Sequence, residues 1–173
     1  MIAFQCWTAD LIERAFLDLG YQPERISFSA DERSADADGT SANIVVRIPG
    51  SGFYLDPETE PGDDDKKLSD LFKEQVKRGD MVKRQVIIGA RYDTALGESD
   101  RESNPDFQGL SDSASSVGAL LTLARAIQGH TFGYDVVLVA FGASHDRFRG
   151  AVEYASAMTA KMSSRYVRLF QNE

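Results

Sequence analysis

Two short apolar runs, "QVIIGA" at 85–90 and "YDVVLVAFGA" at 134–143, stand on either side of a helical pattern. No other feature constrains the fold as strongly. Between the runs Val117, Leu120, Leu121, Ala124 and Ile127 recur at helical spacing within 111–128, and Gly129 closes the pattern. Strand, helix and strand in this order form a right-handed crossover between parallel strands. Each run is unbroken rather than alternating, which predicts central strands covered on both faces. A further helix is expected over "RGAVEYASAMTAKM", 149–162, and "RYVRLF", 165–170, reads as a closing strand.

The amino-terminal part adds an amphipathic helix. Phe4, Trp7, Leu11, Ile12, Ala15, Phe16 and Leu19 share helical spacing and Gly20 ends the run. "RISFSA" and "NIVVRIPG" then read as two strands flanking the polar "DERSADADGTS", able to pair as a hairpin. Residues 51–83 are expected as a surface insertion, with a short helix carrying Leu68, Leu71, Phe72 and Val76. The expected architecture is α/β, a three-layer α/β/α sandwich with a largely parallel mixed sheet, in one domain over 1–173.

Composition excludes several classes of function. A net charge of −8 and a pI near 4.8 argue against a nucleic-acid partner, since a phosphate backbone requires a basic face. No apolar run approaches the roughly 20 residues that cross a bilayer. "MIAFQCWTADLIERAF" lacks the layout of a secretory signal, which makes the cytoplasm the default expectation. One cysteine, Cys6, excludes an internal disulfide, and with only two histidines a zinc finger is excluded as well. A structural metal would need carboxylates.

Ligand sites in sheets of this kind lie beyond the carboxyl ends of the strands. Three polar clusters converge there: "RYDT" at 91–94, "GLSDSASS" at 109–116 and "SHD" at 144–146. Taken singly, each has a structural explanation. Asp93 suits a turn, Ser111 and Asp112 suit helix caps, and Ser144 to Asp146 suit a cap for the following helix. A serine-nucleophile relay within "SHD" is disfavoured, because such relays draw their side chains from separate segments. His130 falls in a loop at the other end of the sheet.

Taken together, "VIIGARYDT", "GLSDSASSVGALLTLARAI" and "LVAFGASHDRFRGAVEYA" resemble the di-zinc aminopeptidase and glutamate carboxypeptidase family, metallopeptidase family twenty-eight, which also contains glutaminyl cyclases. Its members read "VVGAHYDS", then "GADDNASGVAALLELAR", then "FVAFGAEExGLxGSxxY". The resemblance implies a zinc-aminopeptidase-like (phosphorylase/hydrolase-like) fold, here incomplete at the carboxy-terminal end, and a water ionised by paired zinc ions to attack a peptide carbonyl. It places the bridging carboxylate at Asp112 and the acid that orients a histidine ligand at Asp93. Glu173 stands by register where the family has another aspartate ligand.

The same resemblance marks departures. The histidine-ligand position holds Arg91, the general-base glutamate is Ser144, and the adjacent glutamate ligand is His145. A guanidinium has no lone pair for a metal. Held about 4 Å from a dication at an effective dielectric near 20, it would be repelled by at most roughly 8 kcal/mol. Paired with Asp93 or Asp112, Arg91 would instead fill the metal site with a salt bridge. A serine cannot replace a carboxylate base, whose loss costs about a hundred- to ten-thousandfold in rate. The expectation is a degenerate domain without cofactor or peptidase activity, kept to bind a peptide or protein, or a second copy covering an exposed sheet edge. The alternative is an active hydrolase with a rearranged, one-zinc site on Asp112 and His145, with Asp146 or Asp93 as base.

Overall fold

A computed structural model of the chain describes residues 4–30, 39–52, 84–93 and 113–170. The elements are α1 (Phe4–Asp18), β1 (Glu24–Ser29), β2 (Thr40–Ile48), β3 (Gln85–Arg91), α2 (Ser115–Ala126), β4 (Asp135–Phe141) and α3 (Arg149–Phe170). The expected insertion, apart from its first residues, lies outside the described residues, as does its short helix.

The four strands form one mixed sheet in the order β1-β2-β4-β3. The hairpin expected from "RISFSA" and "NIVVRIPG" is present: β1 and β2 run antiparallel, Glu24 opposite Val45 and Ser29 opposite Thr40. β3 and β4 are parallel, since Asp135 N donates to Arg84 O at their starts (2.8 Å) and Tyr92 N to Phe141 O at their ends (3.1 Å). They flank α2, as the crossover rule requires. β2 opposes β4: Gly50 N, past the end of β2, donates to Asp135 Oδ1 at the start of β4 (2.7 Å).

The centre of the described sheet differs from expectation. β2 is buried from Ser41 to Val46 and β4 from Val136 to Ala140, whereas β3 stands last in the order and Val86 and Ile87 are 41% and 39% exposed. An unbroken apolar run records β-forming character without recording how many strands lie beside it. The closing segment differs too. Residues 165–170 continue α3 rather than forming a strand. Extending an existing helix adds a hydrogen bond for each residue fixed, so a short β-like pattern at its end is overridden.

The chain divides into two compact units, one of residues 1–46, 89–128 and 138–173, the other of 47–88 and 129–137. In the first unit, α1 lies against α2. Its buried face is Ala9, Ile12 and Phe16; Leu11, placed on that face by spacing, is 46% exposed. Gly20, at φ +81°, closes the helix: its own N–H reaches Leu17 O and that of Tyr21 reaches Phe16 O. These paired bonds are a left-handed glycine cap. Beyond it the Tyr21 hydroxyl donates to Ala124 O at 2.7 Å and Gln128 Nε2 to Leu19 O at 2.8 Å, joining α1's end to α2's. The unit's core is Phe16, Ile44, Val45, Val46, Leu138 and Val139, none more than 1% exposed. Each such side chain contributes about 1.5–3 kcal/mol by leaving water.

In the second unit, Ser51 N and Gly52 N donate to Phe132 O and Gly133 O. A Cβ on Gly50 would stand 2.4 Å from the Tyr134 carbonyl, so only glycine fits. His130 stacks on Phe132 in the loop before β4, as a loop residue should.

Candidate functional site at the strand ends

The site lies within the first unit, where the ends of β3 and β4 meet the start of α2. Ser116 Oγ at that start donates to Ser113 O (2.8 Å) and is 3.4 Å from Arg91 O, placing the helix beside β3's end. Ala114, at φ −64° and ψ −35°, is the cap residue of α2, and its side chain makes no capping hydrogen bond. Ser111 and Asp112, read as caps or as a bridging ligand, lie outside the described residues.

β3 delivers Arg91, half-buried, then Tyr92 and Asp93, which are 6% and 2% exposed. The Tyr92 hydroxyl donates to Ala42 O at 2.7 Å and fixes this end against β2. Asp93 faces inward. Its Oδ2 accepts the amide of His145 at 3.2 Å, and its buried Oδ1 finds no hydrogen-bond partner among the described residues. Leaving a buried acceptor unfilled costs about 1–3 kcal/mol, more when it is charged.

β4 opens into the loop that carries Ser144, His145 and Asp146. Ala143 is fully buried at φ 49°, and Arg147 and Phe148 follow at φ 49° and 58°. Side chains other than glycine are strained in this region. The loop is tied by Phe148 N to Ser144 O (3.0 Å) and by Arg149 N to Ala143 O (3.2 Å) and Asp146 O (2.8 Å). Ser144 is 8% exposed while His145 is exposed, so these neighbouring side chains occupy different environments.

Two glycines allow the loop its path. A Cβ on Gly142 would stand 2.4 Å from Ala42 O, and one on Gly150 would stand 2.3 Å from Gly142 O. Asn43, fully buried in β2, reaches both residues: Nδ2 donates to Gly150 O at 2.8 Å and Oδ1 accepts from Gly142 N at 3.2 Å. Sequence reasoning overlooked Asn43, although an amide heading the apolar run "NIVVRI" is a signal that something buried needs a donor and an acceptor.

Of the expected site residues, then, Arg91, Asp93, Ser144 and His145 are brought to one place. Glu173 lies outside the described residues, and the stretch before it is helical. A profile of the family described as Peptidase family M28 matches residues 74–172, more than half of the chain.

The chain belongs to peptidase family M28. Among solved structures, the M28 chain is similar to the glutaminyl cyclase of Fimbriiglobus ruber at 17% identity and TM-score 0.49, covering 79% of this chain and 36% of that one. The glutaminyl cyclase of Macrostomum lignano gives 18% identity and TM-score 0.47, with 79% and 30% covered. A leucine aminopeptidase precursor from Bacteroides thetaiotaomicron gives 19% and 0.40, with 76% and 36% covered. The chain spans about a third of the length of these proteins. No curated protein sequence matches it.

The paired zinc ions implied by M28 membership can be tested against the residues present. Among the described residues no group of three or more His, Cys, Asp or Glu side chains could hold a metal ion. Position 91 offers a guanidinium and 144 a buried hydroxyl in place of the family's histidine and carboxylate, which leaves the exposed imidazole of His145 and the carboxylate of Asp93 as the donors at these strand ends. The described residues do not fit a paired-zinc centre.

Proposed function

We propose that this M28 domain lacks peptidase activity and is kept as a binding module for a peptide or protein. The observation that carries the reading is Arg91, at the end of β3, where the family pattern has a histidine ligand. Asp93, which would orient that histidine, instead accepts the His145 amide. A buried carboxylate thus remains without the imidazole that would use it. The serine at 144 supports the same reading, since no carboxylate base stands there.

The exposed Val86 and Ile87 on β3, the last strand of the sheet among the described residues, support a role in assembly, because an edge strand offers unpaired backbone groups to another chain. A second copy at this edge would give a dimer by sedimentation velocity. Val86→Lys would return it to a monomer.

The test of inactivity is hydrolysis of a chromogenic aminoacyl anilide by the purified chain with zinc added. No release above the buffer rate is expected. A second reading, a one-zinc hydrolase on Asp112 and His145, is favoured by the exposure of His145 at the strand end. It requires turnover that chelator abolishes and that Asp112→Ala removes. Such turnover would overturn the first reading.

A further inference from the structure

The loop from Gly142 to Gly150 holds three non-glycine residues in left-handed backbone conformations. Strain of this kind persists only where the surroundings over-determine it. Two buried side chains from neighbouring segments supply that constraint. Asn43 holds both ends of the loop, through Gly142 N and Gly150 O, and Asp93 holds its middle, through His145 N.

The chemistry at position 43 is specific. One carbonyl and one N–H must be met at once by the same short side chain, which needs a donor and an acceptor in fixed relation. Aspartate lacks the donor, leucine lacks both, and serine cannot span the two groups. The fit is close on the other side as well, since a Cβ on Gly150 would stand 2.5 Å from Asn43 Oδ1.

We infer that Asn43 is a positioning residue of the strand-end site: by clamping the two ends of the 142–150 loop, it holds Ser144 and the His145 amide against Asp93. The inference rests on the reading of this loop as the ligand-facing surface. Its test does not require a ligand or a metal, so its failure is distinguishable from a failure of the binding-module reading.

The experiment is amide hydrogen exchange by NMR on the whole chain and on Asn43→Ala and Asn43→Ser. The deciding amide is that of His145, whose acceptor is Asp93 and is untouched by the substitutions. In Asn43→Ala the amides of Gly142, His145 and Arg149 should exchange about tenfold faster relative to that of Leu138 in the core, the size expected for losing a net hydrogen bond. Asn43→Ser, with a hydroxyl able to reach one of the two groups, should fall between, and it carries the test should Asn43→Ala not fold. Acceleration of every amide by one common factor would reduce Asn43 to a general contributor to stability and overturn the inference. So would acceleration of Gly142 alone with His145 still protected.

Discussion

Arg147 occupies a backbone conformation suited to glycine, and the family pattern "EExGLxGS" has glycine at that place. Its side chain is exposed, so replacing it sacrifices little packing. Arg147→Gly should raise stability by about 1 kcal/mol, read as a higher urea midpoint with an unchanged slope. An unchanged or lower midpoint would show that the side chain's contacts outweigh the strain. Gly150 presents the opposite case. Gly150→Ala forces a methyl onto the Gly142 carbonyl and should cost about 1–3 kcal/mol or more, measured the same way. The positions that shape the loop were therefore partly legible: the two glycines stand in the motif, but the strain at Ala143 and Phe148 is a property of three-dimensional closure that residue identity does not announce.

At the level of elements, helical periodicity and glycine stops located α1, α2 and α3, because a 3.6-residue apolar repeat has few other uses. The unbroken apolar run located β3 but not its cover, because burial depends on neighbours remote in sequence, and the strand read at 165–170 gave way where an existing helix propagated. The joint between the ends of α1 and α2 carries a pH prediction. Burial pushes the Tyr21 phenol above its ordinary value. An unfolded chain releases that proton near pH 10. The folded state holds it longer, so the contribution to stability is complete below about pH 10 and is lost as pH rises through the folded value. Urea midpoints at neutral and high pH should fall less steeply for Tyr21→Phe than for the parent, after a loss of about 1 kcal/mol at neutral pH from the missing bond to Ala124 O. Parallel slopes would remove Tyr21 from the account. In the same unit, Arg25 donates to Asp10 and Glu13. Partial burial opposes its ionisation, and the hydrogen bonds to Asp10 and Glu13 together with the negative charges of both outweigh that and hold it above its ordinary value. All three side chains remain at least 30% exposed, so Arg25→Ala should cost no more than about 1 kcal/mol, with the difference shrinking in high salt.

For the whole molecule, strand-helix-strand topology foretold that the ends of β3 and β4 meet the start of α2; Arg91 to Asp93, Ser113, Ser116 and Ser144 to Asp146 gather there, while 109–112 lie outside the described residues. Position 91 weighs most in the proposed reading, because a guanidinium has no lone pair to give where the family pattern has a histidine ligand. What sequence could not tell was that Asp93 would turn to the backbone of the β4 loop, a bond that exists only once the two strand ends are side by side. The proposed function stands on this M28 chain holding no pair of dications at the strand ends. Isothermal titration of the metal-free chain with zinc tests it most directly. The account predicts no stoichiometric, micromolar-range binding, and the same trace for Asp112→Ala. Tight uptake of two zinc ions per chain, lost in Asp112→Ala, would contradict it.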